Sequence, residues 1–150
     1  MSLSEKIAQD MKQAMMAKDE TRLSTIRFLR SAVQYARLEK PSAGSAPGDA
    51  EILQVIQKQI KQHRESIQQF TAARRNELAA KEESELRILE SYLPKQVSDD
   101  ELKKIAQEAV RTQEAAGKKD FGRMMKYLNE KLAGQADNKR LSEILGGLLK

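Results

Sequence analysis

The chain has 150 residues, 33% of them charged and 39% hydrophobic, with a formal net charge of +5 and a pI near 9.4. It contains no cysteine, which excludes disulfides, iron–sulfur clusters, thiol catalysis and cysteine zinc sites. No apolar run is long enough to span a bilayer, and Met1 to Glu20 lacks the apolar stretch of a secretory signal, so a cytoplasmic address is the expectation.

Aromatic residues make up only 4% of the chain, so any core is built from Leu, Ile, Val, Ala and Met. Good helix formers dominate and β-branched runs are nearly absent, which predicts an all-α fold. Ser2 and Glu5 fit a capping box that opens a first helix ending near Lys18, with Ile7, Met11 and Met15 inward. Asp19 or Thr21 caps a second helix, which reaches about Glu39 with Ile26, Leu29, Val33 and Ala36 on its apolar stripe. Pro41 stops it, and Pro41 to Gly48 reads as a flexible loop of small residues.

Asp49 is expected to cap a long third helix with Ile52, Ile56, Ile60, His63, Ile67 and Phe70 on one face. A bend at Thr71 to Asn76 leads to a fourth helix that opens at Leu78 and closes at Pro94, with Leu86, Leu89 and Leu93 inward. Ser98 and Glu101 suggest a second capping box, opening a fifth helix with Leu102, Ile105, Ala109 and Val110 that ends at Gly117. Asp120 caps a sixth helix with Phe121, Met125, Leu128 and Leu132 inward and Gly134 at its end. Asp137 caps a seventh with Leu141, Leu145 and Leu148 inward. The expected organisation is an N-terminal four-helix domain, residues 1–94, followed by a small three-helix C-terminal domain, residues 95–150.

Nothing in this sequence assembles a catalytic set. His63, the single histidine, lies in line with an apolar stripe and reads as a packed side chain, because a general base needs a placed partner and a pocket. Glu82, Glu83, Glu85 and Glu90 read as a solvated helix face with partners such as Arg87. One histidine without cysteine does not make the usual zinc set, so neither a metal nor another cofactor is expected. Phosphate-binding glycine loops and nucleophile elbows are missing.

Basic residues are the stronger signal. Arg27, Arg30 and Arg37 repeat along one stripe of the second helix. Lys58, Lys61 and Arg64 lie close together on the third, and Arg74 and Arg75 follow at the bend. Residues 95–150 hold 12 basic and 9 acidic residues, and Lys118, Lys119, Arg123 and Lys126 gather near the start of the sixth helix. A row of cations on rigid helices can follow a sugar–phosphate backbone, and a helix N-terminus favours an anion. The competing reading is an ordinary solvated, salt-bridged surface.

Several ordered stretches resemble one family. They are L-S-E-K-I-A-Q-D-M-K from Leu3, T-I-R-F-L-R-S-A from Thr25, and the pattern Arg64, Ser66, Ile67, Phe70. A-R-R-N-E-L from Ala73 follows, with Arg74 where the family usually has Gly and Glu77 where it has Asp. Y-L-P from Tyr92 with Gln96, D-F-G-R-M-M-K from Asp120 and G-Q-A-D from Gly134 complete the likeness. Together they resemble the YqeY-like family, the stand-alone form of the helical tail of the tRNA-dependent amidotransferase B subunit (GatB). The resemblance implies two helical domains, and contact with tRNA or with an amidotransferase or aminoacyl-tRNA synthetase subunit, without catalysis by the tail itself. Three functions follow as expectations: a module for tRNA or other structured RNA, a protein-assembly factor, or, least supported, a carbon–nitrogen ligase with glutamine as donor.

Overall fold

A computed structural model describes residues 1–39 and 47–149. Among them there are helices and no strands: α1 (Leu3–Ala17), α2 (Glu20–Glu39), α3 (Asp49–Ala72), α4 (Asn76–Glu90), α5 (Asp99–Thr112), α6 (Phe121–Leu132) and α7 (Asn138–Leu148), with a 3-10 turn at Lys118–Asp120. The expected loop at Pro41 to Gly48 falls mostly outside the described residues. The chain divides into two compact units, Met1–Leu93 and Pro94–Lys150.

In the first unit, the amide of Glu5 donates to the Ser2 hydroxyl and that of Ser2 to the Glu5 carboxylate, a complete capping box. Asp49 does not cap its own helix. Its carboxylate accepts from the amide of Leu3 at 3.0 Å, so it satisfies the start of α1 across 46 residues of sequence. Ile7, Ile26, Leu29, Val33, Ile52, Ile56, Ile60, Leu89 and Tyr92 form the core. Ala14, not Met15, is the inward residue near the end of α1. Two turns of a 3.6-residue helix return to position 14 from Ile7, whereas steps of four drift off the face.

α3 and α4 form a helical hairpin whose turn explains the departure from the family pattern at Arg74. Arg74 has φ +59°. Its amide donates to the carbonyl of Thr71 and that of Arg75 to the carbonyl of Phe70, the paired bonds of a Schellman cap. The bend survives with an arginine in left-handed backbone, at about 1–2 kcal/mol of steric cost that glycine does not carry. Arg74→Gly should therefore raise stability by about 0.5–1 kcal/mol. A urea melt showing no gain or a loss would contradict this account of the turn.

Tyr92 holds the end of α4 onto α1. Its hydroxyl donates to Asp10 Oδ2 at 2.6 Å, and Arg22 lies 3.7 Å from the same oxygen. Burial, followed by the hydrogen bond to Asp10 and its charge, pushes the phenol well above its ordinary pKa. Tyr92→Phe should cost about 1–3 kcal/mol, because the hydrogen bond is to a charged group that stays largely shielded. The pH dependence has a definite sign. Above the ordinary phenol pKa of 10.0 the unfolded chain loses the proton while the folded chain keeps it, so stability falls as pH rises. The Phe variant should be less stable at neutral pH and flatter in the alkaline limb; parallel alkaline limbs would count against the bond.

In the second unit, the Ser98 hydroxyl accepts from the amide of Glu101, and Asp137 accepts from that of Arg140 at 2.9 Å. α5 ends at Thr112 rather than Gly117, because Glu114 takes φ +51° and closes another Schellman cap with the bond from the amide of Ala115 to the carbonyl of Val110. Leu102, Ala106, Ala109, Met124, Leu128, Leu132, Leu141, Leu145 and Leu149 are buried together with Ala136. The segment entering α5 is fixed to the turn between α6 and α7. Gln96 Nε2 donates to the Gly134 carbonyl at 2.8 Å, and Arg140 bonds both the Val97 carbonyl and Asp99. Tyr92, Gln96 and Gly134, all in the stretches that carry the family likeness, are thus architectural residues.

Candidate functional site

Each candidate cation belongs to one unit. In the first, Arg27, Arg30, Lys61, Arg64 and Arg75 are exposed. Two of these are engaged within the unit: an Arg30 guanidinium nitrogen lies 3.1 Å from the Met11 sulfur, and Arg64 is 3.8 Å from Glu90. Arg37, on the same stripe of α2 as Arg27 and Arg30, is 3.5 Å from Glu51 and partly covered.

In the second unit, Lys118 and Lys119 sit on the 3-10 turn and Arg123 and Lys126 on the first two turns of α6, all exposed. Asp120 stands where a cap was expected, yet its carboxylate turns back. Oδ2 accepts from the amide of Ala116 at 2.8 Å, and Oδ1 lies 3.4 Å from Arg123. The Ala116 hydrogen bond, then Arg123, hold its pKa below the ordinary carboxylate value. Turned onto Ala116, the carboxylate makes no capping bond to the first amides of α6. Phe121 and Tyr127 are packed against the core of the unit rather than offered as stacking platforms.

The structure also joins residues that the sequence keeps apart. α2, α3 and α4 line an open pocket of about 430 Å³, with Phe28, Gln59, His63, Lys81, Glu82 and Glu85 among its walls. His63 is buried. Its Nδ1 donates to the Gln59 carbonyl at 2.8 Å, while Nε2 lies 3.0 Å from Glu85 and 3.6 Å from Glu82. Glu82 and Glu85 are thus not a solvated face: their side chains are 25% and 19% exposed. Their i, i+3 spacing was the available signal, and only the register of the hairpin sets it opposite His63.

Residues 4–149 match the model of the family described as Yqey-like protein. The chain belongs to the YqeY-like family. It is 30% identical over 145 residues, 91% of this chain and 77% of the relative, to "Altered inheritance of mitochondria protein 41, mitochondrial" of Pyrenophora tritici-repentis. An uncharacterized protein of Schizosaccharomyces pombe is 33% identical over 86 residues, 57% of this chain and 68% of that protein. The protein 41 of Saccharomyces cerevisiae strain S288c is 33% identical over 84 residues, 56% of this chain and 44% of the relative. Two of these relatives are named as mitochondrial, which overturns the cytoplasmic expectation. That expectation rested on a missing apolar signal stretch, whereas mitochondrial transit segments are amphipathic and Arg-rich. Among the described residues no helix is long and apolar enough to cross a membrane.

Proposed function

We propose that this YqeY-like protein is a non-catalytic module for tRNA or other structured RNA, with residues 1–94 and 95–150 as its two domains and the second akin to the amidotransferase tail. The observation that carries this reading is the exposed group Lys118, Lys119, Arg123 and Lys126, four cations within nine residues at one end of α6. Guanidinium and ammonium groups so placed suit phosphate oxygens. The packing of the partly buried Phe121 and Tyr127 against the core favours recognition of shape and backbone over stacking on single-stranded bases. Arg27, Arg30, Lys61, Arg64 and Arg75 extend the cationic surface of the first unit and act as secondary contacts.

A gel shift tests it. The chain should retard folded tRNA at low salt and heat-unfolded tRNA less strongly; equal retardation of both would contradict the preference for structured RNA.

One observation favours a second reading, an assembly factor for an amidotransferase or aminoacyl-tRNA synthetase subunit. Phe28, Tyr35 and Leu38, spaced seven and three apart on α2, are 62%, 66% and 79% exposed. Neighbouring exposed aromatics and leucine on one helix face suit protein docking. Capture of such a subunit from a ribonuclease-treated lysate, with no RNA binding by the purified chain, would put this reading in place of the first.

A further inference from the structure

Around His63 the pocket of the first unit gathers acceptors: the Gln59 carbonyl and the carboxylates of Glu82 and Glu85. The Gln59 carbonyl can only accept, so the proton shared with His63 sits on Nδ1. That bond fixes the ring and, in the neutral tautomer, aims the Nε2 lone pair at Glu85 and Glu82. Ionised carboxylates are also acceptors, so the arrangement suits a shared proton or a bound cation. A single proton on Nε2 would serve the Glu85 contact at 3.0 Å. It would leave the second carboxylate at 3.6 Å and the side-chain oxygen of Gln59, which is buried at 3% exposure and has no hydrogen-bond partner. Gln59 lines the same pocket.

We propose that His63 Nε2, Glu82 and Glu85, with Gln59 Oε1 as a fourth donor, form a site for a divalent first-row metal ion such as Zn²⁺ or Mn²⁺. One donor atom from each of His63, Glu82 and Glu85 falls within 4.8 Å of the others. With metal–ligand bonds of about 2.1 Å, adjacent donors lie about 3.0–3.4 Å apart, close to the separations from Nε2 to the two carboxylates. Two carboxylates neutralise a divalent charge, and the mixture of imidazole with oxygen donors suits zinc or manganese better than magnesium. The Nδ1–H bond to a backbone carbonyl is the outer-shell support that metal-bound histidines use. Lys81, exposed, also lines the pocket, and Lys81→Met should strengthen metal binding by removing a competing positive charge. Donors from α3 and α4 make the ion a clasp for the hairpin.

The chain's single histidine makes the test direct. Untagged, chelator-stripped, ¹⁵N-labelled protein is titrated with Zn²⁺ and separately with Mn²⁺, with Mg²⁺ as control. The imidazole Nε2 signal of His63 should move to saturation at one equivalent of Zn²⁺, Mn²⁺ should broaden it selectively, and the melting temperature should rise with Zn²⁺. Glu82→Gln and Glu85→Gln, which keep shape and should fold, should each weaken Zn²⁺ binding at least about tenfold. An unmoved imidazole signal, or Zn²⁺ affinity unchanged in the Glu82→Gln/Glu85→Gln double variant, would overturn the proposal and leave the cluster as a protonated ion pair.

Discussion

Leu128→Ala is expected to remove most of the folded population of the C-terminal unit. Leu128 is fully buried among Leu102, Met124, Leu132, Leu141 and Leu145. Replacing a buried leucine by alanine costs about 2–5 kcal/mol, the lost transfer free energy plus the cavity left behind. A unit of this size has little to spare: Pro94–Lys150 buries a small core, and stability of roughly 0.05–0.15 kcal/mol per residue leaves only a few kcal/mol. Hydrogen exchange should show protection lost first across α5, α6 and α7. Leu128→Met, which keeps volume, should retain it. Protection that survives in the alanine variant would mean that the core described for this unit is not what holds it.

Charge reversal at Lys118, Lys119, Arg123 and Lys126 to Glu should lower tRNA affinity by at least about a hundredfold, since phosphate neutralisation supplies most sequence-independent binding. The fold should tolerate it. All four side chains are exposed, and exposed pairs contribute about 0–1 kcal/mol. Arg123 lies beside Asp120 and the Gln113 carbonyl, and Lys119 adds its charge near Asp120. Reversing Arg27 and Arg30 should weaken binding less, because an Arg30 guanidinium nitrogen already contacts Met11. Gel shifts of the variants, with circular dichroism to verify helix content, decide it. A tail variant that binds tRNA like the parent would remove the tail from the interface.

The all-helical fold was legible because its determinants are local. Ser2, Ser98 and Asp137 each bond an amide three residues on, and a hydroxyl or carboxylate at that spacing is visible in any sequence. Most core positions follow the 3.6-residue period. What was not legible depends on distant chain or on strained backbone. Asp49 looked like the cap of α3 and instead serves α1. The helix ends at Arg74 and Glu114 use left-handed backbone without glycine, so the usual stop signal was missing. His63, Glu82 and Glu85 looked like one packed histidine and part of a solvated face, because their meeting requires the register of the α3–α4 hairpin. The basic residues around α6 stood out in sequence, but the turn of Asp120 onto the Ala116 amide did not.

On the proposed reading, the basic surface at α6 binds RNA through phosphate. The most direct measurement is the affinity of the unmodified chain for folded tRNA across a salt series. Four or more phosphate contacts predict that the logarithm of the binding constant falls linearly with that of the salt concentration, with a slope of about −3 or steeper. A slope near zero, or no binding at low salt, would contradict it.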